Sequence, residues 1–118
     1  MLDALKTIAA LLHKYHARQA ALADPIVVMA ETGDRNLARA VCGDDLWAED
    51  GGLWDSGPQV LQRPHHDGEE CRRDELAFRA AFVTLAEAIE REDFGDPIQR
   101  RRVAEVAETF RAWTRDGL

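Results

Sequence analysis

The sequence is poor in the residues and motifs from which common active sites are built. It has a single serine, Ser56, and the surrounding "WDSGP" lacks the G-x-S-x-G pattern of serine hydrolases. It has only two lysines, and neither of the glycine-rich patterns that bind nucleotide phosphates occurs. Carboxylates are so plentiful that no pair stands out as an acid and a base. We therefore expect a protein that is not an enzyme and that needs no cofactor.

Long apolar segments are also missing. The first residues, "MLDALKTIAALLHKYH", lack the features of a secretory signal, and no apolar run approaches the roughly 20 residues of a membrane span. Cysteine is scarce as well, since only Cys42 and Cys71 occur. A reducing compartment would keep both as thiols. We expect a cytoplasmic protein with two free cysteines.

The length and composition suit one folded unit. A chain of 118 residues with 46% hydrophobic residues can form a single core. Three tryptophans and four phenylalanines need a place to pack, and charges of both signs occur throughout, which argues against disorder. The prediction is a single helical domain over residues 1–118.

In the first part of the chain, apolar residues recur three and four positions apart, as in an amphipathic helix. The core side of a long helix over residues 2–23 would be formed by Leu5, Ile8, Leu12, Tyr15, Gln19 and Leu22. Asp24 and Pro25 are predicted to end this helix and to start the next element. One or two short helices follow between 25 and 43. Residues 26–31 also suit a strand, but the Asp-Pro start favours a helix.

The second part of the chain shows the same spacing over residues 68–93 and 97–116. Asp67 with Glu70, and Asp96 with Gln99, have the spacing of capping boxes at the starts of these helices. The predicted core positions are Cys71, Phe78, Phe82, Leu85, Ile89, Val103, Val106, Phe110 and Trp113. The fold prediction is mainly α: a small bundle of three long helices plus one or two short ones. A long acidic loop rich in Gly and Trp, with room for a short hairpin, would occupy residues 44–66.

The negative charge is concentrated in the middle of the chain. Residues 41–75 carry a net charge of −7, whereas residues 1–40 carry +1 and residues 76–118 carry −1. Such a field repels nucleic acids and membrane phosphates and attracts basic surfaces. We therefore expect neither direct nucleic-acid binding nor membrane binding.

Two tryptophans lie among these acidic residues in "GDDLWAEDGGLWDSG". Aromatic side chains ringed by charge are typical of protein-binding hot spots. The candidate partner-binding residues are Asp44, Asp45, Trp47, Glu49, Asp50, Trp54 and Asp55. The alternative is that both indoles fold back onto the bundle and attach the loop to it. The functional hypothesis is a small interaction or inhibitor protein that binds a basic protein surface, like an inhibitor, antitoxin, immunity protein or nucleic-acid mimic.

A metal-binding regulator is the second hypothesis. Nitrogen and sulfur ligands suited to Zn²⁺ would come from His13, His16, His65, His66 and Cys71. The spacing matches none of the specific zinc signatures, and Cys71 is in phase with the core of its helix. The alternative for the histidines is therefore an ordinary place on the surface or in a loop.

The strongest basic cluster is Arg100, Arg101 and Arg102, near the start of the last helix. We expect these arginines to pair with carboxylates, Arg101 with Glu105 on the next turn and the others with the acidic middle of the chain. The last helix also has the length and the apolar positions for a dimer face. A homodimer is therefore a further expectation.

Overall fold

The computed structural model describes residues 1–58 and 68–118, and in these ranges the chain is mainly helical. The elements are α1 (Leu2–Tyr15), α2 (Ala17–Thr32), α3 (Leu37–Val41), α4 (Asp44–Trp47), a 3-10 turn (Leu53–Asp55), α5 (Gly68–Arg91) and α6 (Pro97–Arg115). α1 packs against α2 and α5, and α5 packs against α6. The prediction of a small, mainly α bundle is confirmed. Within the described ranges, no helix is both long and apolar enough to cross a membrane.

The first helix ends earlier than the predicted span of 2–23. α1 stops at Tyr15, and His16 leaves helical geometry with φ −140° and ψ 68°. α2 then turns back along α1, as the distance of 2.8 Å between His13 Nε2 and Asp24 Oδ2 shows. The prediction of one continuous helix is wrong because two helices that pack on each other bury more apolar surface than one straight helix.

The side chains beyond this break show the change of direction. The predicted core positions of α1 are all buried: Leu5, Ile8, Leu12 and Tyr15. Gln19 is only half-buried and Leu22 is 41% exposed, although both continue the same spacing. α2 instead buries Ala20, Ala23 and Ile26. The small alanine side chains allow α2 to approach α1 closely.

Pro25 lies inside α2 and does not start a new helix. Proline has no N–H, so the carbonyl of Ala21, four residues earlier, loses its usual helical partner. Both residues are exposed, where water can bond that carbonyl. The helix therefore continues, and residues 26–31 are helical as predicted. It ends at Gly33, whose φ of 67° is the left-handed geometry that commonly closes helices.

α5 and α6 follow the predicted spans closely and form an antiparallel pair. Their predicted core positions are buried, apart from a half-buried Trp113: Cys71, Phe78, Phe82, Leu85, Ile89, Val103, Val106 and Phe110. Asp96 Oδ1 accepts from the Gln99 N–H, and Gln99 Oε1 accepts from the Asp96 N–H, which confirms that capping box. The box predicted from Asp67 and Glu70 includes a residue outside the described ranges.

A chain of aromatic rings runs through the core and attaches α4 to the long helices. Trp47 meets Phe82 edge-on with 5.3 Å between ring centroids, and Phe82 contacts Phe110 at 5.9 Å. Phe110 in turn contacts Trp54 at 5.9 Å and Trp113 at 5.7 Å. Such contacts contribute about 0.5–1.5 kcal/mol each beyond their buried area. The cluster therefore fixes α4 and the 3-10 turn against α5 and α6.

Candidate functional site

The segment predicted as a long loop, residues 44–66, is partly helical where the structure describes it. α4 and the 3-10 turn both lie within residues 44–58, which we call the acidic segment. No strand occurs in this described part, so the hairpin does not form there, and residues 59–66 lie outside the described ranges. The acidic segment is thus a folded part of the bundle surface.

Two glycines make the tight connection between α4 and the 3-10 turn. Gly51 has a φ of 85°, which residues other than glycine rarely adopt. At Gly52 a Cβ atom would lie 2.7 Å from both the backbone nitrogen and the backbone oxygen of Ala48. Glycine is needed at both positions for the chain to return toward the bundle.

Trp47, a predicted partner-binding residue, lies in the core. Its side chain is fully buried, and its Nε1–H donates to the Val41 carbonyl oxygen at 2.6 Å. Both the apolar ring and the N–H group of this indole therefore make contacts inside the fold. Trp47 thus folds back onto the bundle, which was the alternative interpretation of the sequence.

Trp54 is half-buried and is held in a similar way. Its Nε1–H donates to the Ala48 carbonyl oxygen at 2.7 Å. The ring packs against Phe110 and lies 6.5 Å from Trp113, measured between ring centroids. One part of this indole attaches the segment to α6, and another part stays accessible at the surface.

The carboxylates of the acidic segment point outward. Asp45, Glu49, Asp50 and Asp55 are exposed, and we call these four the acidic surface. Within the described part of the chain, no basic side chain forms an ion pair with any of them. Asp44 differs, because its Oδ1 lies 2.7 Å from Arg102 Nη1. Four of the five predicted carboxylates are thus exposed on this segment without an ion pair to any residue of 1–58 or 68–118.

The three consecutive arginines at the start of α6 each have a carboxylate partner. Arg101 pairs with Glu105 at 3.3 Å, and Arg102 pairs with Asp44 of the acidic segment, both as predicted. Arg100 pairs with Asp93, which lies in the turn before α6 and outside the acidic middle of the chain. This basic cluster therefore helps to attach α4 to α6.

The predicted metal ligands that the structure describes have separate partners. His13 is exposed and binds Asp24, while His16 Nε2 lies 3.3 Å from the Gly57 carbonyl oxygen. Cys71 is buried and donates through its thiol to the Pro58 carbonyl oxygen at 3.4 Å. Among residues 1–58 and 68–118, no three or more His, Cys, Asp or Glu side chains are grouped to hold a metal ion. The other two predicted ligands, His65 and His66, lie outside the described ranges.

Both cysteines are free thiols, in agreement with the prediction. Burial raises the pKa of the Cys71 thiol, and the nearby carboxylates of Glu75 and Asp74 raise it further. Burial also raises the pKa of the Cys42 thiol. Since the thiolate is the reactive form, these environments disfavour nucleophilic chemistry at either cysteine.

A polar cluster that the sequence analysis missed joins α1 to the start of α5. Lys14 Nζ donates to Glu70 at 2.5 Å and to Asp74 at 2.7 Å, and the Tyr15 hydroxyl donates to Asp74 at 2.6 Å. Burial of Tyr15, together with the hydrogen bond to Asp74, raises the pKa of the phenol to about 12. Burial alone would raise the pKa of Asp74, but hydrogen bonds from Lys14 and Tyr15 outweigh it and lower that pKa. The partners are about 60 residues apart in sequence, so no local pattern identifies them.

A second missed feature is a buried ion pair on α5. Arg79 Nε donates to Glu75 Oε2 at 2.9 Å, and both side chains are more than nine-tenths buried. Arg79 also lies over the Trp113 ring, 5.5 Å from its centroid, and donates to the Leu118 carbonyl oxygen at 2.7 Å. The spacing of four residues allowed the pair to be foreseen, but not its burial. The pair fixes the C-terminal end of α6 against α5.

Comparison of the chain with protein-family models, curated proteins and solved structures finds no match. The functional interpretation therefore depends on the geometry and charge of the acidic segment itself.

Proposed function

We propose that this protein is a non-enzymatic interaction protein that binds a basic surface on a partner protein. The contact would be made by the acidic surface, with the accessible part of Trp54 beside it. The proposal differs from the sequence-based expectation in two respects. Buried Trp47 supports the surface from within the core and does not touch the partner. Asp44 is not part of the surface, because its carboxylate pairs with Arg102.

The observation that carries this proposal is the packing of the segment beneath exposed carboxylates that have no ion pair among the described residues. Both indole N–H groups bond backbone carbonyls, and both rings pack into the aromatic cluster. Charges on such a support lose little conformational freedom when they bind, so less of the interaction energy is spent on ordering. A solvated acidic loop would lack this support.

The mechanism would be occlusion of a cationic site on the partner. Complementary charge speeds association and fixes the orientation of the two proteins, while apolar contact slows dissociation. Inhibitors, antitoxins, immunity proteins and mimics of nucleic-acid charge all fit this physical description. We expect the complex to form in the cytoplasm, where the two thiols stay reduced.

The test compares two variants with the same net charge. In the first, the acidic surface is neutralised by Asp45→Asn, Glu49→Gln, Asp50→Asn and Asp55→Asn. In the matched control, four exposed carboxylates elsewhere are neutralised by Asp3→Asn, Glu31→Gln, Glu92→Gln and Asp116→Asn. Each set changes the net charge from −7 to −3. Immobilised wild-type protein and both variants are used to capture partners from the source cells, and association rates are measured at low and high salt.

We expect a partner that the wild type and the control capture and that the acidic-surface variant does not. Its association rate should fall at least tenfold between low and high salt, as electrostatic steering requires. Equal capture by both variants, or a rate that does not respond to salt, would show that the acidic surface is not the binding site.

A further inference from the structure

The predicted dimer face of the last helix is used inside the chain. The apolar positions of α6 on which that expectation rested, Val103, Val106 and Phe110, are buried against the rest of the bundle. A dimer must therefore use another part of the molecule. The candidate is the side of the α5–α6 pair that faces away from α1.

This side carries a long depression, which we call the outer groove. It consists of two hollows, of about 420 Å³ and about 600 Å³, and Arg111 lines both of them. Arg111 Nη2 lies 3.3 Å from Glu87 Oε1 on α5, so this ion pair crosses the groove between the two hollows. The first hollow extends toward Pro97 and the second toward Arg115. The outer groove therefore runs along most of the length of α6.

Small and apolar side chains form the floor of the outer groove. In the first hollow Ala104 is exposed and Ala107 is buried, and in the second Ala80 is exposed while Leu76 and Val83 are half-buried. At the two exposed alanines, Ala80 and Ala104, the floor leaves space for helices of another molecule to approach the backbone closely.

In the first hollow, the two walls of the outer groove carry opposite charges. Glu87 and Glu90 lie on its α5 wall, whereas Arg100, Arg101 and Arg111 lie on its α6 wall. The α6 wall of the second hollow adds Arg115, and its α5 wall carries Arg79, which is paired with Glu75 inside the chain. A second copy of this chain presents the same acidic and basic walls, so the groove is complementary to itself in one particular orientation.

We propose that the outer groove is the interface of a symmetric homodimer, in which α5 of each copy lies over α6 of the other. A two-fold axis parallel to the helices produces this arrangement and keeps each residue at the same height along the groove. Because Glu87 lies opposite Arg111 within one chain, Glu87 of the second copy would also face Arg111. An axis across the helices would place α6 over α6, with arginine against arginine, because arginines line the α6 wall in both hollows. Charge therefore selects the first arrangement.

The size of the face suits a stable dimer. A helix of 19 residues such as α6 spans about 28 Å, and two adjacent helices are about 20 Å wide. Interfaces of standard size bury about 800 Å² of accessible surface on each partner. A contact along the full groove is of this order. This proposal does not depend on the acidic surface, so either can fail without the other.

The experiment measures the mass of the full chain in solution by light scattering or sedimentation, at concentrations up to about 100 µM, where a micromolar dimer is mostly formed. Two groove variants place a long charged side chain on the floor, Ala80→Arg in one hollow and Ala104→Arg in the other. The matched control is Ala21→Arg on α2, which is also an exposed alanine in a helix. All three keep a residue that favours helix, and helical content by circular dichroism checks folding.

We expect the wild type and Ala21→Arg to have twice the 13.2 kDa mass of the chain and both groove variants to be monomeric or at least tenfold weaker as dimers. A monomeric wild type would overturn the proposal and would leave the groove for a different partner. A dimer that survives both groove substitutions would also overturn it, because the contact would then lie elsewhere.

A charge-exchange experiment tests the orientation of the walls. Glu87→Arg makes both walls basic at this height, and Arg111→Glu makes both acidic. Each variant alone should dimerise at least tenfold more weakly than the wild type, whereas an equal mixture should form a heterodimer. The lost ion pair within each chain is exposed and contributes little to folding, so the monomers should remain stable. Failure of the mixture to associate would contradict the proposed interface.

Discussion

Asp74 joins α5 to the end of α1 through hydrogen bonds. Its carboxylate accepts hydrogen bonds from Lys14 and Tyr15, two neighbours at the end of α1. Tyr15 was predicted as a core residue from its spacing, and its ring is buried. A buried phenol also needs a partner for its hydroxyl, and the identity of that partner depends on the tertiary fold. Spacing could therefore predict the burial of the ring but not its hydrogen bond.

Replacement of this carboxylate should give a stability difference that depends on pH. The pKa of Asp74 is lower in the folded protein than its ordinary value of 3.8, so the unfolded state binds the proton more tightly. The stabilisation from the carboxylate is thus complete above about pH 4 and disappears as pH falls through the folded pKa. At pH 7, Asp74→Asn should cost about 1–2 kcal/mol through the weakened hydrogen bond from Tyr15. Urea unfolding at pH 7 and pH 3 measures the difference.

Asp45→Asn is the control, because that carboxylate is exposed and has no ion pair among the described residues. It should change stability by less than about 0.5 kcal/mol at pH 7. A difference between the wild type and Asp74→Asn that stays constant from pH 7 to pH 3 would contradict the role given to Asp74.

Gly57 is a second residue whose identity is set by a distant side chain. A Cβ atom at this position would lie 2.6 Å from Glu75 Oε1 and 3.0 Å from Oε2. The carboxylate would have to move, and its bond to the buried Arg79 guanidinium would be strained. Gly57→Ala should therefore destabilise the protein by about 1–3 kcal/mol, as overpacking of a buried site does. Thermal or urea unfolding gives this value.

The matched control is Gly43→Ala, whose φ of −80° suits any residue and whose Cβ would meet its nearest neighbour at 3.4 Å. The cost there should stay below about 1 kcal/mol, from the loss of glycine before α4. Equal effects of the two substitutions would show that the Glu75 carboxylate does not restrict position 57.

Among the elements, α2 departs most from local sequence preference. Its boundaries were misjudged because Pro25 is a strong local stop signal, whereas His16, where the chain does leave helical geometry, carries none. The competing term is tertiary: α2 packs its alanine side against α1, and this packing outweighs the lost hydrogen bond at the proline. In α5 and α6 the local signals and the packing agree, and their boundaries were predicted closely.

Pro25→Ala should therefore stabilise the protein. The substitution restores an N–H that can bond the Ala21 carbonyl, and an alanine inside a helix is favoured over proline by about 3 kcal/mol. Part of this gain is offset, because proline also restricts the unfolded chain by about 0.4–1 kcal/mol. A net gain of about 2–2.5 kcal/mol in the free energy of unfolding is expected from urea titration.

Pro97→Ala provides the comparison, since Pro97 is the first residue of α6 and proline suits that position. This change should leave stability within about 0.5 kcal/mol of the wild type or lower it slightly. If Pro25→Ala gave no larger gain in stability than Pro97→Ala, the proline inside α2 would not destabilise the helix as described above.

At the scale of the whole molecule, the fold redistributes the charge of the acidic middle third. Glu70 and Asp74 face Lys14, Glu75 pairs with Arg79, and Asp44 pairs with Arg102. All three basic partners, Lys14, Arg79 and Arg102, lie outside residues 41–75 in sequence. The sequence predicted where negative charge is concentrated, but only the structure separates carboxylates that hold the bundle together from those without an ion pair among the described residues. The candidate site is thereby narrowed to Asp45, Glu49, Asp50 and Asp55.

The proximity of the Trp54 and Trp113 rings gives this protein an intrinsic spectroscopic signal. Two indoles with ring centroids 6.5 Å apart, tilted by 36°, are close enough for their excited states to couple. Such coupling produces a paired band in far-ultraviolet circular dichroism, from the strong indole transition, and its intensity is sensitive to the angle between the rings. Because Trp54 adjoins Asp55, a partner that engages the acidic surface would disturb this band. Complex formation can therefore be followed spectroscopically on the unlabelled chain, without a fluorescent dye or a tag.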